Sequence, residues 1–258
     1  MPHAALKAAE KLIGEHQSGA RFRPFAIADF DHAYAVQREY VRLQMQNRGT
    51  GVAGYKIGLT SKRMQAMCKI DNPIAGVVLA DRVHGSGTTL SASAYGRVGV
   101  EFEIAVRIGR DFSPDERPLT LEYVAAAVDA VCPAIEIIDD RNADYGALEV
   151  RSLIADNSWN AGIVLGAFAH PWPDLARIKG VVSLDGMVID RGSGRDVLGH
   201  PFHAVVWLAG HLAGMGMRLR AGDVVMTGSV VTTKFPDGPA AYRFHVGGLG
   251  AVEVTLRR

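Results

Sequence analysis

The sequence predicts a mixed α+β chain in which a small helical N-terminal part packs against a strand-rich core. Apolar residues recur at helical spacing within the first fifty residues, and after residue 162 short apolar runs are separated by tight turns. Between these parts, residues 97–108 form a long apolar run that contains two carboxylates one residue apart. Helices therefore come first and mostly antiparallel strands follow, which is the α+β arrangement.

The helices are predicted from apolar stripes and from residues that suit helix ends. In the second helix, Ala33, Val36, Tyr40 and Leu43 fall on one stripe, and a glycine-containing segment at 49–51 ends it. A later helix begins where Thr60 or Ser61 can act as the N-cap. The predicted helices cover residues 1–17, 31–47, 61–69, 121–131 and 203–215.

The strands are predicted from short apolar runs bounded by turn residues. Asp185-Gly186, between two such runs, is a strong hairpin signal. The predicted strands cover residues 52–58, 76–80, 97–108, 133–139, 162–165, 180–184, 187–189, 223–226, 241–246 and 251–256, and a polar connection occupies residues 114–121. We expect residues 1–70 to form a mainly helical region that packs on a β-rich core, residues 71–258, which carries the functional site.

Charge and composition exclude several classes of protein. The chain has 28 Lys and Arg against 27 Asp and Glu, so it lacks the basic surface expected for binding nucleic acid or an anionic membrane. It also contains no run of 18 apolar residues, so we expect no membrane span. Cys68 and Cys132 form neither a disulfide framework nor a close-spaced zinc motif, which favours a reducing, cytoplasmic location.

Three glutamates in apolar surroundings are the candidate metal ligands. In a strand, Glu101 and Glu103 point to the same face about 7 Å apart, where like charges that lose water need compensation. Glu136 has the same problem within the apolar run 133–139. Three carboxylates without neighbouring Cys or paired His favour a hard ion, Mg²⁺ or Mn²⁺. The alternative is that they form buried salt bridges with arginines, namely Arg97, Arg107 or Arg141.

Several segments together resemble one known family. They are Gly54-Tyr55-Lys56-Ile57-Gly58-Leu59-Thr60-Ser61, Glu101-Phe102-Glu103-Ile104, residues 133–141, Ala155-Asp156-Asn157, residues 197–201 and residues 221–228. In this order they resemble the 2-keto-4-pentenoate hydratase and 4-oxalocrotonate decarboxylase family, within the fumarylacetoacetate hydrolase superfamily. The resemblance implies a distorted β-roll with a helical N-terminal region, and Mg²⁺ or Mn²⁺ held by Glu101, Glu103 and Glu136.

The resemblance also implies a reaction. The family acts on short 2-hydroxy-2,4-dienoates from aromatic-compound degradation, and on their 2-oxo tautomers. A divalent ion chelated by the carboxylate and 2-oxo oxygens would stabilise the enolate that both water addition and decarboxylation require. We expect a hydratase that yields a 4-hydroxy-2-oxo acid. The alternatives are decarboxylation of a 2-oxo-enedioate, hydrolysis of an acylpyruvate, or a catalytically inactive partner subunit.

Lys56, Asp81 and Asp156 are the candidate acid and base residues. Lys56 follows a Gly-Tyr pair in an apolar strand, where burial and a nearby carboxylate decide its charge, although its head could also lie in solvent. Asp156 matches a family position, although capping a helix is the commoner use of such a residue. Asp81 is either a second acid or a solvated strand end.

The candidate substrate-binding residues are Asn157, Trp159, Ile74, Thr227 and Ser229. The two hydroxyls and the backbone around Gly228 could cradle a carboxylate, although a plain turn would use the same residues. Ile74 stands where many hydratases have an acidic residue and resembles the decarboxylases. Trp159 stands where the family usually has serine, so we expect a reshaped pocket.

Other site types fit less well. His200, His203 and His211 are expected on one face of a surface helix rather than around a transition metal. The chain contains no Gly-x-Ser-x-Gly elbow, and residues 247–250 lack the Rossmann fingerprint. We therefore expect a small-molecule enzyme that self-associates and, as the family implies, associates with a related paralogue.

Overall fold

Two β-sheets with helices packed around them make up the fold, which a computed structural model describes for residues 2–112 and 118–258. The helices are α1 (Pro2–Gln17), α2 (Phe30–Arg48), α3 (Lys62–Met67), α4 (Leu121–Ala127), α5 (Val150–Ala155) and α6 (Pro201–Gly214). The strands are β1 (Val52–Gly58), β2 (Ile74–Leu79), β3 (Val83–Gly85), β4 (Thr88–Ser91), β5 (Val98–Ile108), β6 (Val128–Asp139), β7 (Asn160–Leu165), β8 (Lys179–Leu184), β9 (Met187–Ser193), β10 (Val224–Ser229), β11 (Ala240–Val246) and β12 (Gly250–Arg257).

The larger sheet has seven strands in the order β2-β1-β10-β5-β6-β7-β3. Its centre is the long antiparallel pair of β5 and β6, whereas β1 runs parallel to β10 and β3 runs parallel to β7. Both central strands are rich in Val and Ile and are almost wholly buried, as expected for strands covered on both faces. Side chains on these central strands are therefore held rigidly and away from water.

The smaller sheet has the order β4-β12-β11-β8-β9 and packs its apolar face on the larger one. Along β11, buried and exposed residues alternate, so one face meets the core and the other meets solvent. Phe102 of β5 lies between the sheets, with ring centroids 5.6 Å from Phe244 and 5.7 Å from Tyr242. The main core therefore lies between the sheets.

The N-terminal helices pack together and contact the larger sheet. The helix α2 begins at Asp29, whose side chain accepts a hydrogen bond from the His32 amide at 2.8 Å, and ends at Gly49 in the left-handed conformation. From its buried face, the Gln37 amide donates to the carbonyls of Ala75 and Ile154, each at 2.8 Å. These bonds tie α2 to the strands and turns around the site.

The structure confirms the α+β class and corrects details of the sequence prediction. The predicted helix 121–131 is wrong in its last turn, because β6 already begins at Val128. Val128 and Val131 pair with Ile108 and Val106 of β5, and this pairing favours the extended backbone over the helix. The short strands β3 and β4 were not predicted. Among the strand pairs of the described residues, three are parallel and seven are antiparallel, so the expected mostly antiparallel pairing is confirmed.

Three further sequence predictions concern the domain boundary, the polar connection and membrane-spanning helices. The division at residue 70 stays a prediction, although β1, from the N-terminal side of that boundary, lies between β2 and β10 in the larger sheet. Residues 114–117 of the predicted polar connection fall outside the described part. None of the helices within 2–112 and 118–258 combines the length and apolarity needed to cross a bilayer.

Candidate active site

Four adjacent strands, β1, β10, β5 and β6, position the side chains of the candidate site. Glu101 and Glu103 lie two residues apart on β5, and Glu136 of β6 is the direct cross-strand partner of Glu101. Ser229, at the end of β10, pairs with Glu103. The predicted convergence of the three glutamates is present, since one carboxylate oxygen from each lies within 4.8 Å of the others.

Each of the three carboxylates accepts a hydrogen bond from a protein donor. The Thr233 hydroxyl donates to Glu101 Oε1 at 2.5 Å, the Gly228 amide donates to Glu103 Oε2 at 2.7 Å, and the Asn160 side chain donates to Glu136 Oε1 at 2.8 Å. The second oxygens of Glu103 and Glu136 are buried without a hydrogen-bond partner. The donors fix the orientation of the carboxylates and leave oxygens available for a ligand.

Gly228 is required at its position by both conformation and space. Its φ of 111° lies in a region that other residues avoid, and a Cβ there would lie 2.3 Å from Thr60 Oγ1. This close approach aims the backbone amide at Glu103. Within the predicted cradle of Thr227 to Ser229, the Gly228 amide therefore binds a glutamate of the cluster, and binding of a substrate carboxylate there stays a prediction.

Burial and repulsion from neighbouring carboxylates raise the pKa values of Glu103 and Glu136. Glu103 and Glu136 are completely buried. Loss of water, followed by repulsion from Glu136 and Glu101, raises the pKa of Glu103 well above its usual value. Burial also raises the pKa of Glu136 to about 7, although the Lys56 ammonium opposes the rise. When its carboxylates are ionised, the cluster therefore carries more negative charge than the neighbouring protein groups compensate.

Lys56 lies at the edge of this cluster, with its Nζ 3.3 Å from Glu136 Oε1. Burial opposes its charge, but attraction to Glu136, Glu101 and Glu103 outweighs burial and raises the pKa of Lys56. The alternative of a solvated head is excluded, because only 4% of the residue is exposed. One ammonium beside three carboxylates still leaves an excess of negative charge.

The cluster fits a divalent cation. The donor set consists of carboxylate oxygens, which Mg²⁺ and Mn²⁺ prefer, and two buried oxygens lack any other partner. The arginines of the salt-bridge alternative are engaged elsewhere: Arg97 with Asp140, Arg107 with Asp129, and Arg141 with Asp156 and Glu15. The described contacts therefore do not support that alternative.

A cavity of roughly 480 Å³ opens beside the cluster. Of the residues singled out from the sequence, those that line it are Lys56, Ile74, Glu101, Trp159 and Ser229. A Cβ placed on Gly58 would lie 3.3 Å from Lys56 Nζ and 3.4 Å from Ile74 Cγ1, so the ends of these two side chains are near each other. The cavity thus combines the lysine and a cluster ligand with space for a small molecule.

Asp156 and Asn157 lie behind the cavity wall and do not line this cavity. The Asp156 carboxylate accepts hydrogen bonds from Arg141 Nη2 at 2.8 Å and contacts His16 Nε2 at 2.7 Å. The Asn157 side chain accepts from the Val77 amide at 2.7 Å and donates to the Val77 carbonyl at 2.9 Å. Both side chains support the turn that carries Ser158 and Trp159 into the cavity wall.

Asp81 and Thr227 also have protein partners away from the cavity lining. Asp81 forms an ion pair with Arg48 and accepts a hydrogen bond from its Nε at 2.8 Å. These contacts lower the pKa of Asp81 despite the opposing effect of its partial burial. Thr227 is buried and donates to the Ile104 carbonyl at 2.8 Å. The observed contacts of these two residues are those of structural groups.

Four residues of the site were not predicted from the sequence, namely Thr233, Asn160, Tyr145 and Phe235. Thr233 is 132 residues from Glu101 and Asn160 is 24 residues from Glu136, so local spacing gives no signal for either contact. Asn160 lies in a segment where the chain departs from the usual family pattern, which is the one sequence signal available. The aromatic wall, formed by Tyr145, Trp159 and Phe235, combines residues from two distant segments.

Comparisons with known proteins agree with this geometry. The family described as fumarylacetoacetate (FAA) hydrolase, C-terminal, matches residues 50–257. The chain is 33% identical to 2-keto-4-pentenoate hydratase from Paraburkholderia xenovorans (strain LB400), covering 99% of this chain and 96% of that relative. It is 35% identical to 2-oxo-hept-4-ene-1,7-dioate hydratase from Escherichia coli, covering 86% and 85%. Among solved structures, 4-oxalocrotonate decarboxylase from Pseudomonas putida G7, complexed with magnesium and adipate, superposes with a TM-score of 0.92 at 28% identity, covering 99% of this chain and 98% of that one.

Proposed function

Because the chain belongs to the fumarylacetoacetate hydrolase family, in its group of 2-keto-4-pentenoate hydratases and 4-oxalocrotonate decarboxylases, we propose that it is a divalent-metal-dependent hydro-lyase. Its substrate is a 2-hydroxy-2,4-dienoate or the 2-oxo-4-enoate tautomer, its product is a 4-hydroxy-2-oxo acid, and its setting is aromatic-compound catabolism. The observation that carries this proposal is the convergence of Glu101, Glu103 and Glu136, with unpaired buried oxygens, beside a cavity that also contains Lys56.

Glu101, Glu103 and Glu136 hold Mg²⁺ or Mn²⁺ in this proposal. The ion supplies Lewis-acid polarisation of the 2-oxo group and so stabilises enolate charge. The donors Thr233, Gly228 and Asn160 keep the ligands oriented before substrate arrives.

Lys56 is the proposed general acid. The neighbouring carboxylates keep it protonated, and its place in the cavity wall lets it give a proton to C5 of the dienol, while the 2-hydroxyl group releases its proton and becomes the 2-oxo group. One water then adds across the C3–C4 double bond of the resulting 2-oxo-3-enoate, with its hydroxyl on C4 and a hydrogen on C3, which completes the hydration. Trp159, Ile74 and Ser229 are proposed to contact the substrate, since all three line the cavity.

Four of the residues singled out from the sequence are proposed to support the site without contacting substrate, namely Asp156, Asn157, Asp81 and Thr227. Asp156 and Asn157 act by holding the turn of Ser158 and Trp159, because their polar atoms contact protein partners behind the cavity. Thr227 holds β10 against β5. A catalytic role for Asp81 would require it to leave Arg48, so we assign it a structural role.

The decarboxylase alternative is favoured by one observation. Ile74 lies near the end of Lys56, so an apolar side chain occupies the place where many hydratases have an acid. Loss of CO₂ from a 2-oxo-enedioate needs the same enolate stabilisation without activation of water. The two reactions are separated by their products rather than by the metal site.

Turnover of dienoates by the metal-loaded protein tests the proposed function. The Mg²⁺ or Mn²⁺ protein should consume 2-hydroxydienoates, with products one water heavier for a hydratase or one CO₂ lighter for a decarboxylase. Replacing Lys56 with Met should lower kcat by roughly 10²- to 10⁴-fold while Mn²⁺ binding is retained. Consumption of acylpyruvates instead would support the hydrolase alternative, and metal binding without any turnover would support an inactive partner subunit.

We also propose that the protein self-associates and acts in the cytoplasm. Met187, Val188 and Ile189 are exposed on β9, which is the open edge of the smaller sheet, and such an edge favours pairing with another chain. Both cysteines are free, as expected in a reducing compartment. Light scattering of the protein alone and mixed with a family paralogue would measure self-association and the expected paralogue complex.

A further inference from the structure

The cavity beside the glutamates extends beyond its charged end, and much of the additional lining is apolar. Its volume of roughly 480 Å³ is within the range of sites that enclose drug-sized ligands. Lys56, Glu101 and Thr233 provide polar groups at the cluster. Much of the remaining lining comes from α3 and from the aromatic wall of Tyr145, Trp159 and Phe235.

The aromatic wall is a continuous packed unit. The Tyr145 ring lies edge-on to Trp159 at 5.8 Å and to Phe235 at 6.4 Å between centroids. Phe22 packs on Trp159 at 5.1 Å, and the Arg97 guanidinium lies 4.6 Å from the Phe235 ring. These contacts fix the three rings in place, so they present a rigid apolar surface to a ligand.

The aromatic wall has few polar atoms that could bind a charged group of a ligand. The Tyr145 hydroxyl donates to Asp140 at 3.2 Å, so it is already engaged. Trp159 Nε1 is buried without a partner and can only donate one hydrogen bond. The wall therefore suits an apolar or weakly polar group.

The charged groups of the lining do not offer a buried partner for a second carboxylate. Lys56 pairs with Glu136, and Arg63 is exposed on α3, where water screens it. Asp196 also lines the cavity and would repel an anion. A carboxylate placed against the rings would lose water without gaining a buried cation.

We propose that this cavity selects substrates whose tail, beyond the reacting dienoate, is neutral and apolar, of the aryl or alkyl type, over tails that end in a carboxylate. The inference rests on the proposed function, since it assigns the reacting end of the substrate to the glutamates and Lys56. It specifies the substrate class of the same site and places dicarboxylates among the poor substrates.

Matched pairs of substrates test this selectivity. The full-length Mg²⁺-loaded protein is given 2-hydroxydienoates of equal length that end in phenyl, isopropyl or carboxylate. We expect kcat/KM to be at least tenfold higher for the neutral tails, which corresponds to about 1.4 kcal/mol. Equal values, or preference for the carboxylate, would overturn the proposal.

Two variants of α3 sharpen the test. Replacing Arg63 with Gln should leave the neutral-tail kcat/KM unchanged and should not selectively impair the carboxylate tail. A selective loss would show that Arg63 binds a distal carboxylate. Met67→Arg adds a cation at a cavity residue that is 48% exposed, so it should raise the carboxylate-tail kcat/KM about tenfold relative to the neutral one. The matched control is Met187→Arg, at an exposed methionine of β9.

Binding of unreactive analogues separates this proposal from the proposed function. Saturated 2-oxo acids with the same tails, titrated calorimetrically into the Mg²⁺ protein, report tail preference without chemistry. Tighter binding of the neutral tails supports the selectivity even if no dienoate is consumed, in which case only the proposed reaction fails. Absence of binding by every analogue, or tighter binding of the carboxylate tails, overturns the selectivity.

Discussion

Glu103 is the residue at which stability and function conflict most directly. It is completely buried, and burial and neighbouring carboxylates raise its pKa well above the usual value. One of its oxygens accepts the Gly228 amide, whereas the other has no hydrogen-bond partner. Without a cation, the ionised side chain therefore destabilises the fold that holds it.

Replacing Glu103 with Gln should stabilise the metal-free protein and abolish tight metal binding. Once pH is above the raised pKa of Glu103, we expect the free energy of unfolding to be about 1–3 kcal/mol higher in the variant, because a buried charge is replaced by a neutral amide. Urea denaturation and Mn²⁺ titration measure the two effects. The matched control is Glu10→Gln, at an exposed glutamate of α1, which should change neither. A less stable metal-free E103Q protein would contradict the expectation.

The raised pKa values also predict how pH acts on the site. The pKa of Glu136 is about 7, so below pH 7 protons compete with the metal, and affinity for Mn²⁺ should rise by up to tenfold per pH unit as pH approaches 7. Because folding raises this pKa from 4.5 to about 7, the metal-free protein should lose stability as pH rises from about 4.5 to about 7. Saturating Mg²⁺ should reverse that loss.

Titrations and melting curves across this range check the pH effects. Replacing Glu136 with Gln removes one of the titrating groups and should flatten the pH dependence of the metal-free protein. A pH-independent Mn²⁺ affinity in the unaltered protein would contradict the expectation.

At the scale of elements, the turn Asn157–Trp159 has a demanding backbone. Its three residues have φ values of 51°, 51° and 58°, in the left-handed region that non-glycine residues rarely occupy consecutively. The Asn157 side chain forms hydrogen bonds with both the amide and the carbonyl of Val77, and the Ser158 hydroxyl donates to the Ala75 carbonyl. These bonds to β2 hold the turn that brings Trp159 to the cavity.

Replacing Asn157 with Ala should therefore loosen both the fold and the cavity. Loss of two buried hydrogen bonds should lower the free energy of unfolding by roughly 2–4 kcal/mol. The KM for substrate should rise as the Trp159 wall loses its position. Asn142→Ala is the matched control, since Asn142 is also left-handed but exposed, and it should cost about 1 kcal/mol or less. Equal effects of the two changes would rule out a special role for the Val77 contacts.

Sequence patterns predicted well those elements in which the spacing of apolar residues distinguishes a helix from a strand. The alternation in β5 predicted that Glu101 and Glu103 share a face, and the observed register agrees. The end of α4 was wrong because its apolar residues suit a helix and a buried strand equally well. Pairing of Val128 with β5 decides between them, and a contact across the sheet is not visible in local sequence.

For the whole molecule, a buried ion-pair network joins the N-terminal helices to the core. Arg141 follows β6 and is fully buried, and it contacts Asp156 after α5 and Glu15 of α1. His16, also on α1, contacts the second oxygen of Asp156. The helical region and the strands that carry the glutamates are therefore linked through one carboxylate.

Replacing Asp156 with Asn should destabilise the protein by about 3–5 kcal/mol, because it leaves the buried Arg141 without its full partner. The matched change Asp81→Asn breaks a half-exposed ion pair with Arg48 and should cost at most about 1 kcal/mol. Urea denaturation compares the two variants. A D156N protein of unaltered stability and strongly reduced kcat would indicate a direct catalytic role instead.

Site residues could be predicted only where an ionisable side chain stands out within a short apolar segment. A carboxylate in an apolar strand is conspicuous, so the three glutamates and Lys56 could be found from the sequence. The hydrogen-bond donors Thr233 and Asn160 are ordinary polar residues in loops and strand ends, and only the folded chain brings them to the glutamates. The partners of Asp156 and Asp81 were missed for the same reason.

Because Glu101 and Glu136 pair across neighbouring strands, a bound cation should stabilise only chains in which these strands have the native register. If β5 and β6 slid past each other by one position, alternate side chains would swap sides, and the ligands would no longer meet. Only chains aligned in the native way could then capture the ion. Mg²⁺ present during refolding should thus stabilise the natively aligned chains and leave the slipped forms without this stabilisation.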